Sequence, residues 1–127
     1  MTDALLDERR AGIVAALRSA GARFGFLHGS RAAGTHHPDS DVDVAGWWGE
    51  HAPPAFEVDL PADVDLLVLD DAPLLLAGRV AMHGVLLFDD DPVARVRWTA
   101  TTRKIFLDEL PRMQRADEDF RRSVLRG

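Results

Sequence analysis

A glycine–serine step, Gly29-Ser30, follows a segment that predicts a strand and precedes one that can begin a helix. The strand is predicted over about 22–28, and the residues from Arg31 onward suit a first helical turn. A turn of this kind leaves backbone N–H groups unpaired at the helix start, where they can bind an anion such as phosphate. The hydroxyl of Ser30 adds a further donor, so the step predicts a phosphate-binding turn.

Two acidic residues, Asp41 and Asp43, follow in a segment that predicts a second strand at about 41–47. Because alternate residues of a strand share a face, both carboxylates lie on one side, and Val42 and Val44 face the core. Two carboxylates about 4 Å apart repel by roughly 1 kcal/mol in water and about 4 kcal/mol near a protein surface. Mg²⁺ relieves this repulsion and takes one or two carboxylates plus substrate phosphates as ligands. The pair therefore predicts a metal site.

The string from Gly29 to Val44, GSRAAGTHHPDSDVDV, resembles the core motif of the DNA polymerase β-like nucleotidyltransferase superfamily. Within that superfamily, most of the chain is similar to the minimal nucleotidyltransferases of the MntA type, the antitoxins of MNT/HEPN toxin–antitoxin pairs. The resemblance implies an α/β (α+β) nucleotidyltransferase fold with a small mixed sheet, flanking helices and a C-terminal helical tail.

The resemblance also implies a third carboxylate, at the start of a later apolar strand. Alternation along that strand does not separate Asp63 from Asp65, but the family pattern favours Asp65. We therefore expect Asp41, Asp43 and Asp65 to be the catalytic and metal-binding acids, with two Mg²⁺ ions serving an in-line displacement. The alternative for the Asp41 and Asp43 pair is solvent-facing acids at a sheet edge.

Gly29, Ser30 and Arg31 are the expected phosphate-binding residues, with ATP as the substrate. The guanidinium of Arg31 suits bidentate contact with phosphate, although a surface ion pair explains this residue equally well. The family resemblance implies transfer of AMP to a tyrosine near the active site of a HEPN ribonuclease toxin, which is the expected partner. Two other functions stay open: a toxin-binding antitoxin without catalysis, and a nucleotidyltransferase acting on small, aminoglycoside-like molecules.

Length and composition indicate one small globular domain over residues 1–127, with a core at about 1–91 and a helical tail at about 92–127. The start has neither a basic region nor a long apolar stretch, so we expect no secretory signal. No run approaches the roughly 18 apolar residues of a membrane span. The chain has no cysteine, which suits the cytoplasm.

Charge is distributed unevenly along the chain. Residues 1–91 carry 6 Lys/Arg and 16 Asp/Glu, whereas residues 92–127 carry 9 and 5. Because nucleic-acid binding depends on neutralising phosphates, the acidic body argues against direct nucleic-acid binding. The basic tail suits an acidic partner, a nucleotide or a solvated helix face.

Hydrophobic periodicity and turn residues predict the elements of the domain. Asp91 is a predicted N-cap followed by Pro92, and in the tail helix Val93, Val96, Ala100, Leu107 and Leu110 recur at helical spacing. Pro111 is expected to break or kink that helix before a second stripe of Met113, Ala116, Phe120 and Val124. The remaining predictions are helices at 3–20 and 72–83, strands at about 63–69 and 85–88, and a loop at 46–61.

Several residues near these motifs have more than one interpretation. Trp47 and Trp48 could stack on adenine or bind a partner, but we expect one of them to close the core. His28 has no assigned role beyond packing near the site, and His36 and His37 suit a solvated loop better than a metal site. Asp70 and Asp71 are interpreted as capping residues before Pro73, and Asp89 to Asp91 as capping and solvated residues.

Overall fold

The computed structural model describes residues 3–29 and 41–126. The described elements follow the predicted order and lie close to the predicted boundaries. They are helix α1 (Asp3–Ser19), strands β1 (Phe24–His28), β2 (Val42–Trp47) and β3 (Val64–Val68), helix α2 (Leu74–His83), strand β4 (Val85–Asp89) and helix α3 (Pro92–Arg126). Short 3₁₀ turns at Ala55–Glu57 and Leu69–Asp71 precede and follow β3.

The strands form one mixed sheet in the order β3-β2-β1-β4. The central strand β1 is antiparallel to both neighbours, and β2 is parallel to β3. The long connection that a parallel pair requires is supplied here by the segment between Trp47 and Val64. The predicted small mixed sheet with flanking helices is confirmed.

One face of the sheet packs against α1. Ile13 and Leu17 of α1 share a buried apolar cluster with Val42 and Val44 of β2, as the alternation in β2 predicts. Trp48 belongs to the same cluster and is only 4% exposed. Its indole Nε1–H donates a hydrogen bond to the carbonyl oxygen of Ala20 at 2.9 Å. The expectation that one tryptophan closes the core is confirmed for Trp48.

The opposite face is covered by α2 and the first half of α3. Phe24 and Phe26 of β1 are buried there together with Val80 of α2, and Trp98 of α3 packs against them. The two helices cross closely at Gly78, because a Cβ there would overlap the ring of Phe106. This face also receives the side chains of odd-numbered β2 residues, which alternate with the valines that face α1.

Pro111 does not break α3, which runs as one helix through this residue. The expected break is wrong because proline removes one backbone donor and crowds one carbonyl, while the helical bonds on either side can continue. The Asp91 cap is confirmed, since its Oδ1 accepts the backbone N–H of Ala94 at 3.2 Å.

Much of α3 lies in solvent. Val93, Val96 and Leu107 of the predicted stripe are 70%, 54% and 50% exposed. The side of α3 that packs against the rest of the domain carries Trp98 and Phe106 instead. From Pro111 to Leu125, every side chain except that of Met113 is exposed. Among the described helices, none has both the length and the apolar character that crossing a membrane requires.

Candidate active site

Asp43 and Asp65 are register partners on the parallel strands β2 and β3. Residues paired in this way point to the same side of the sheet, with neighbouring strands about 4.8 Å apart. Asp43 alternates with valines that face α1, so both carboxylates point to the side covered by α2 and α3. Asp43 is half-buried and Asp65 is exposed, so a ligand can reach both from solvent.

Asp63 has a different environment from Asp65. It precedes β3, and its Oδ1 accepts a hydrogen bond from Nη2 of Arg9 at 2.7 Å. Neither Asp43 nor Asp65 has an ion pair with another described residue. The structure therefore brings Asp65 to Asp43 and ties Asp63 to α1, a distinction that alternation could not make.

Asp41 lies immediately before β2 and is exposed. Within residues 3–29 and 41–126, no group of three histidine or acidic side chains is close enough to hold a metal ion. The described residues thus present a pair of carboxylates. Such a pair still fits Mg²⁺, because this ion commonly reaches a protein through one or two carboxylates plus substrate phosphates.

Gly29 lies directly against Asp43. Its φ angle is 70°, in the left-handed region that glycine adopts without steric cost, and a Cβ at this position would overlap Oδ2 of Asp43. A phosphate held by backbone N–H groups of this turn would therefore lie beside the carboxylate pair. The other residues predicted to bind phosphate, Ser30 and Arg31, lie outside the described residues, as do His36 and His37.

His28 is the cross-strand partner of Asp43. Burial lowers the pKa of its imidazole, while the charge of Asp43 and a hydrogen bond to the backbone of Val44 act in the opposite direction. Burial has the largest effect, so the neutral ring is favoured. Nε2 is buried and has no hydrogen-bond partner among the described residues. Apart from the position of His28 at the strand end, no local pattern predicted this environment.

A cleft of about 690 Å³, the α2 cleft, opens beside Gly29. Its lining combines apolar side chains at the crossing of α2 and α3 with one arginine and two histidines, and consists of His28, Gly29, Leu76, Arg79, His83, Phe106 and Leu110. Sequence reasoning missed Arg79 and His83. Their spacing of four residues, which puts them on one side of a helix, was the available signal.

Trp47 and Asp70 lie away from this site. Trp47 stacks on Phe24 at a centroid distance of 5.1 Å and lies four residues along β2 from Asp43, about 13 Å at 3.3 Å per residue. That distance argues against stacking on an adenine held at Gly29.

Asp70 does not cap α2. Its carboxylate accepts the backbone N–H groups of Trp48 and Gly49 at 3.0 and 2.6 Å, because the turn after β3 lies beside the end of β2.

The acidic run before α3 is structural. Asp89 pairs with Arg95 at 2.9 Å, and Asp90 pairs with Arg18 through two contacts of 2.8 Å. The hydrogen bond from Arg18 is the main reason that the pKa of Asp90 lies below its ordinary value. Together with the Asp91 cap, these pairs attach the start of α3 to α1 and explain the run without a metal.

Comparison with known proteins assigns a family to the greater part of the chain. The family model described as "Polymerase beta, Nucleotidyltransferase" matches residues 13–93. Comparison with curated protein sequences yields no match.

Three solved structures illustrate the likeness in fold. A toxin–antitoxin crystal structure with AMP-PNP aligns over 87% of this chain and 97% of its own, with a TM-score of 0.71 and 23% identity. The tri-AMPylated Shewanella oneidensis HEPN toxin in complex with MNT antitoxin aligns over 90% and 97%, with a TM-score of 0.70 and 19% identity. The toxin–antitoxin MntA–HepT structure aligns over 90% and 97%, with a TM-score of 0.65 and 18% identity. At these identities the likeness establishes a shared fold.

Proposed function

Since this chain belongs to the polymerase β nucleotidyltransferase family, we propose that it transfers AMP from ATP to a tyrosine hydroxyl of a HEPN toxin and thereby neutralises the toxin. The observation that carries the proposal is the pairing of Asp43 with Asp65 in adjacent strands, with the backbone of Gly29 against Asp43. This arrangement puts an anion-binding turn next to two carboxylates that have no ion-pair partner among the described residues.

The nucleotide and the acceptor are supported by proteins of the same fold. One similar toxin–antitoxin structure contains AMP-PNP, and another contains an AMPylated HEPN toxin with its MNT antitoxin. The small size of this domain also favours an acceptor brought by a second protein. Because this chain contains no tyrosine, it cannot modify itself on that residue type.

The carboxylates suit Mg²⁺ in both their chemistry and their surroundings. Asp43 and Asp65 would hold the ion from adjacent strands, while Asp41, the third predicted ligand, lies before β2 and outside this pair. Bound Mg²⁺ would supply neutralisation of the triphosphate charge and polarisation of the acceptor hydroxyl. Without a cation, the same carboxylates would repel a bound triphosphate.

The protein's own groups contribute mainly position and charge, as expected for phosphoryl and nucleotidyl transfer. The acceptor oxygen forms a bond to the α-phosphorus as the bond from that phosphorus to the oxygen bridging the β-phosphate breaks. A carboxylate oxygen of Asp65 accepts the proton of the hydroxyl, and pyrophosphate leaves with the bonding electron pair. The turn at Gly29 and Ser30, with Arg31, holds the β- and γ-phosphates during this exchange.

The test is to incubate the protein with ATP, Mg²⁺ and a purified HEPN toxin and to measure the intact mass of the toxin. We expect addition of one or more AMP units, localised by peptide mapping to a tyrosine. Asp43→Asn should abolish the addition. Asp63→Asn is the matched control and should retain it, because Asp63 is bound to Arg9. A toxin whose mass stays unchanged after incubation with the folded protein, ATP and Mg²⁺ would contradict the proposal.

A second function, neutralisation by binding alone, is favoured by the exposed apolar side chains of α3. Val93, Phe120 and Leu125 are 70%, 68% and 86% exposed, which suits contact with another protein. The Asp41→Asn, Asp43→Asn double variant separates the two functions. Toxin inhibition retained by this variant would support binding without catalysis, whereas its loss together with the loss of AMP transfer would support the enzyme.

A further inference from the structure

The order of the strands puts different chemical groups on the two sides of Asp43 in the candidate active site. Strands β3, β2 and β1 lie side by side, and Asp65, Asp43 and Gly29 lie at the same edge of these three strands. At about 4.8 Å per strand, Asp65 and Gly29 lie roughly 10 Å apart, on opposite sides of Asp43. The two sides differ in chemistry, because one carries a carboxylate and the other an anion-binding turn.

The α2 cleft extends the anion-binding side. Its lining includes the guanidinium of Arg79, and none of its lining residues is acidic. Arg79 is exposed and makes no ion pair or side-chain hydrogen bond with another described residue. Arg18 and Arg95, by contrast, are each bound to a carboxylate. In a chain with a net charge of −6, Arg79 thus lines the same cleft as Gly29 without a carboxylate partner among the described residues.

In-line displacement requires the entering and leaving oxygens to lie on opposite sides of the phosphorus. With the α-phosphorus next to Asp43, one side must therefore hold the departing pyrophosphate and the other the acceptor hydroxyl. Pyrophosphate is strongly anionic, whereas the hydroxyl must give up a proton. The basic cleft beside Gly29 suits the first role, and the carboxylate of Asp65 suits the second.

We propose that Arg79 binds the β- and γ-phosphates of the nucleotide and then the released pyrophosphate, so that the acceptor approaches from the β3 side. The inference rests on the proposed nucleotidyl transfer and adds a phosphate-binding residue that lies outside the Gly-Ser motif. Leu76 and Phe106 add apolar side chains to the lining of the same cleft.

The experiment is calorimetric titration of the full chain, in buffer containing Mg²⁺, with inorganic pyrophosphate, ATP and AMP in turn. Arg79→Ala should weaken the binding of pyrophosphate and ATP by about 10- to 100-fold, as expected for loss of a charge-assisted hydrogen bond. AMP binding should change little, because AMP lacks the β- and γ-phosphates. Arg79→Lys should restore part of the affinity, since it keeps the charge without the bidentate geometry.

Arg97→Ala is the matched control, because Arg97 is also exposed but lines a different cleft, next to Trp47 and Trp98. It should leave all three affinities unchanged. Equal weakening of AMP and ATP by Arg79→Ala would overturn the inference by placing Arg79 beside the nucleoside or the α-phosphate. Unchanged pyrophosphate affinity would also overturn it.

The titration needs no toxin, so its outcome is distinguishable from that of the proposed function. If pyrophosphate binding depends on Arg79 but the toxin stays unmodified, the phosphate-binding role of Arg79 is supported and the HEPN toxin is excluded as the acceptor. A thermal melt of each variant accompanies the titration. If Arg79→Ala lowers the fraction of folded protein, Arg79→Lys is compared with the wild type instead, because lysine keeps a long side chain. Weaker binding of pyrophosphate and ATP with unchanged AMP binding then supports the inference, and unchanged pyrophosphate affinity or equal weakening of AMP and ATP overturns it.

Discussion

The backbone of Gly29 lies so close to the carboxylate of Asp43 that a Cβ at position 29 would overlap Oδ2. With a φ of 70°, Gly29 also has a conformation that other residues adopt only with strain. The contact joins the two halves of the proposed site, because the turn that attracts an anion touches a carboxylate that repels one. We therefore expect a triphosphate to bind there only when a cation offsets the repulsion.

Replacement of Gly29 by alanine should reduce AMP transfer by about 100-fold or more, because even small displacements of a reacting group carry a cost of this size. Stability should fall by about 1–2 kcal/mol from the left-handed backbone alone. Gly21→Ala is the control, since Gly21 also has a positive φ of 96° but its added Cβ would meet Trp48 only at an ordinary 3.7 Å. Transfer assays and urea unfolding measure both effects. Equal loss of transfer in the two variants would contradict the specific contact with Asp43.

Asp43→Asn should leave the metal-free melting temperature unchanged or raise it, although it abolishes transfer. The reason is that the carboxylates of Asp43 and Asp65 repel each other in the absence of a metal, and the neutral amide of asparagine removes this repulsion. Asp63→Asn should instead lower stability slightly, within the 0–1 kcal/mol that is typical of a surface ion pair, because Arg9 loses its partner. Differential scanning calorimetry in EDTA tests this. A clear drop for Asp43→Asn would show that its carboxylate stabilises the fold.

Gly78→Ala should destabilise the protein, which is the opposite of the usual effect in a helix. Alanine normally favours a helix interior by roughly 1 kcal/mol over glycine. At Gly78, however, the new Cβ would overlap the ring of Phe106, and overpacking of this kind typically costs about 1–3 kcal/mol. The control is Gly12→Ala in α1, where a Cβ meets nothing within 4 Å and the usual gain is expected. Urea unfolding of both variants, and of Gly78→Ala combined with Phe106→Leu, measures the overlap. A stabilised Gly78→Ala protein would refute close crossing of α2 and α3.

Stability should depend on the ionisation of Asp90 in acid. The hydrogen bond from Arg18 holds the pKa of Asp90 below its ordinary value in the folded protein, so the unfolded chain binds the proton first as pH falls. The stabilisation is therefore complete above the ordinary aspartate range and is lost as pH falls through that range and then through the lowered pKa of Asp90.

We expect Asp90→Asn to reduce stability near neutral pH and to converge with the wild type at low pH. Asp71→Asn, which removes an exposed carboxylate of the Leu69–Asp71 turn, serves as the control and should follow the wild type across the range. Unfolding free energies measured across this range check the prediction, and high salt should diminish the difference because both partners are half-exposed. A difference in unfolding free energy between Asp90→Asn and the wild type that does not change with pH would contradict the prediction.

The sequence predicted the elements and their order well, because their signals are local. Alternation of Val42, Asp43 and Val44 determined which side chains face α1, and Asp91-Pro92 determined where α3 begins. The break that was one of the two outcomes expected at Pro111 does not occur, because a single proline weakens a helix locally without ending it when the residues on both sides continue the helix. The roles assigned to Ser30 and Arg31 remain predictions from the motif.

Only the tertiary structure decided which residues meet across the sheet. Asp63 and Asp65 are equivalent by alternation, and the parallel register with β2 is what sets Asp65 beside Asp43 and leaves Asp63 to Arg9. In the same way, packing of α2 over β1 puts Arg79 and Gly29 in the lining of one cleft, although they are far apart in sequence. The sequence by itself thus determined local conformation and the faces of single strands, because these depend on neighbouring residues. Contacts between distant residues depend on strand order, register and helix packing, which no local pattern encodes.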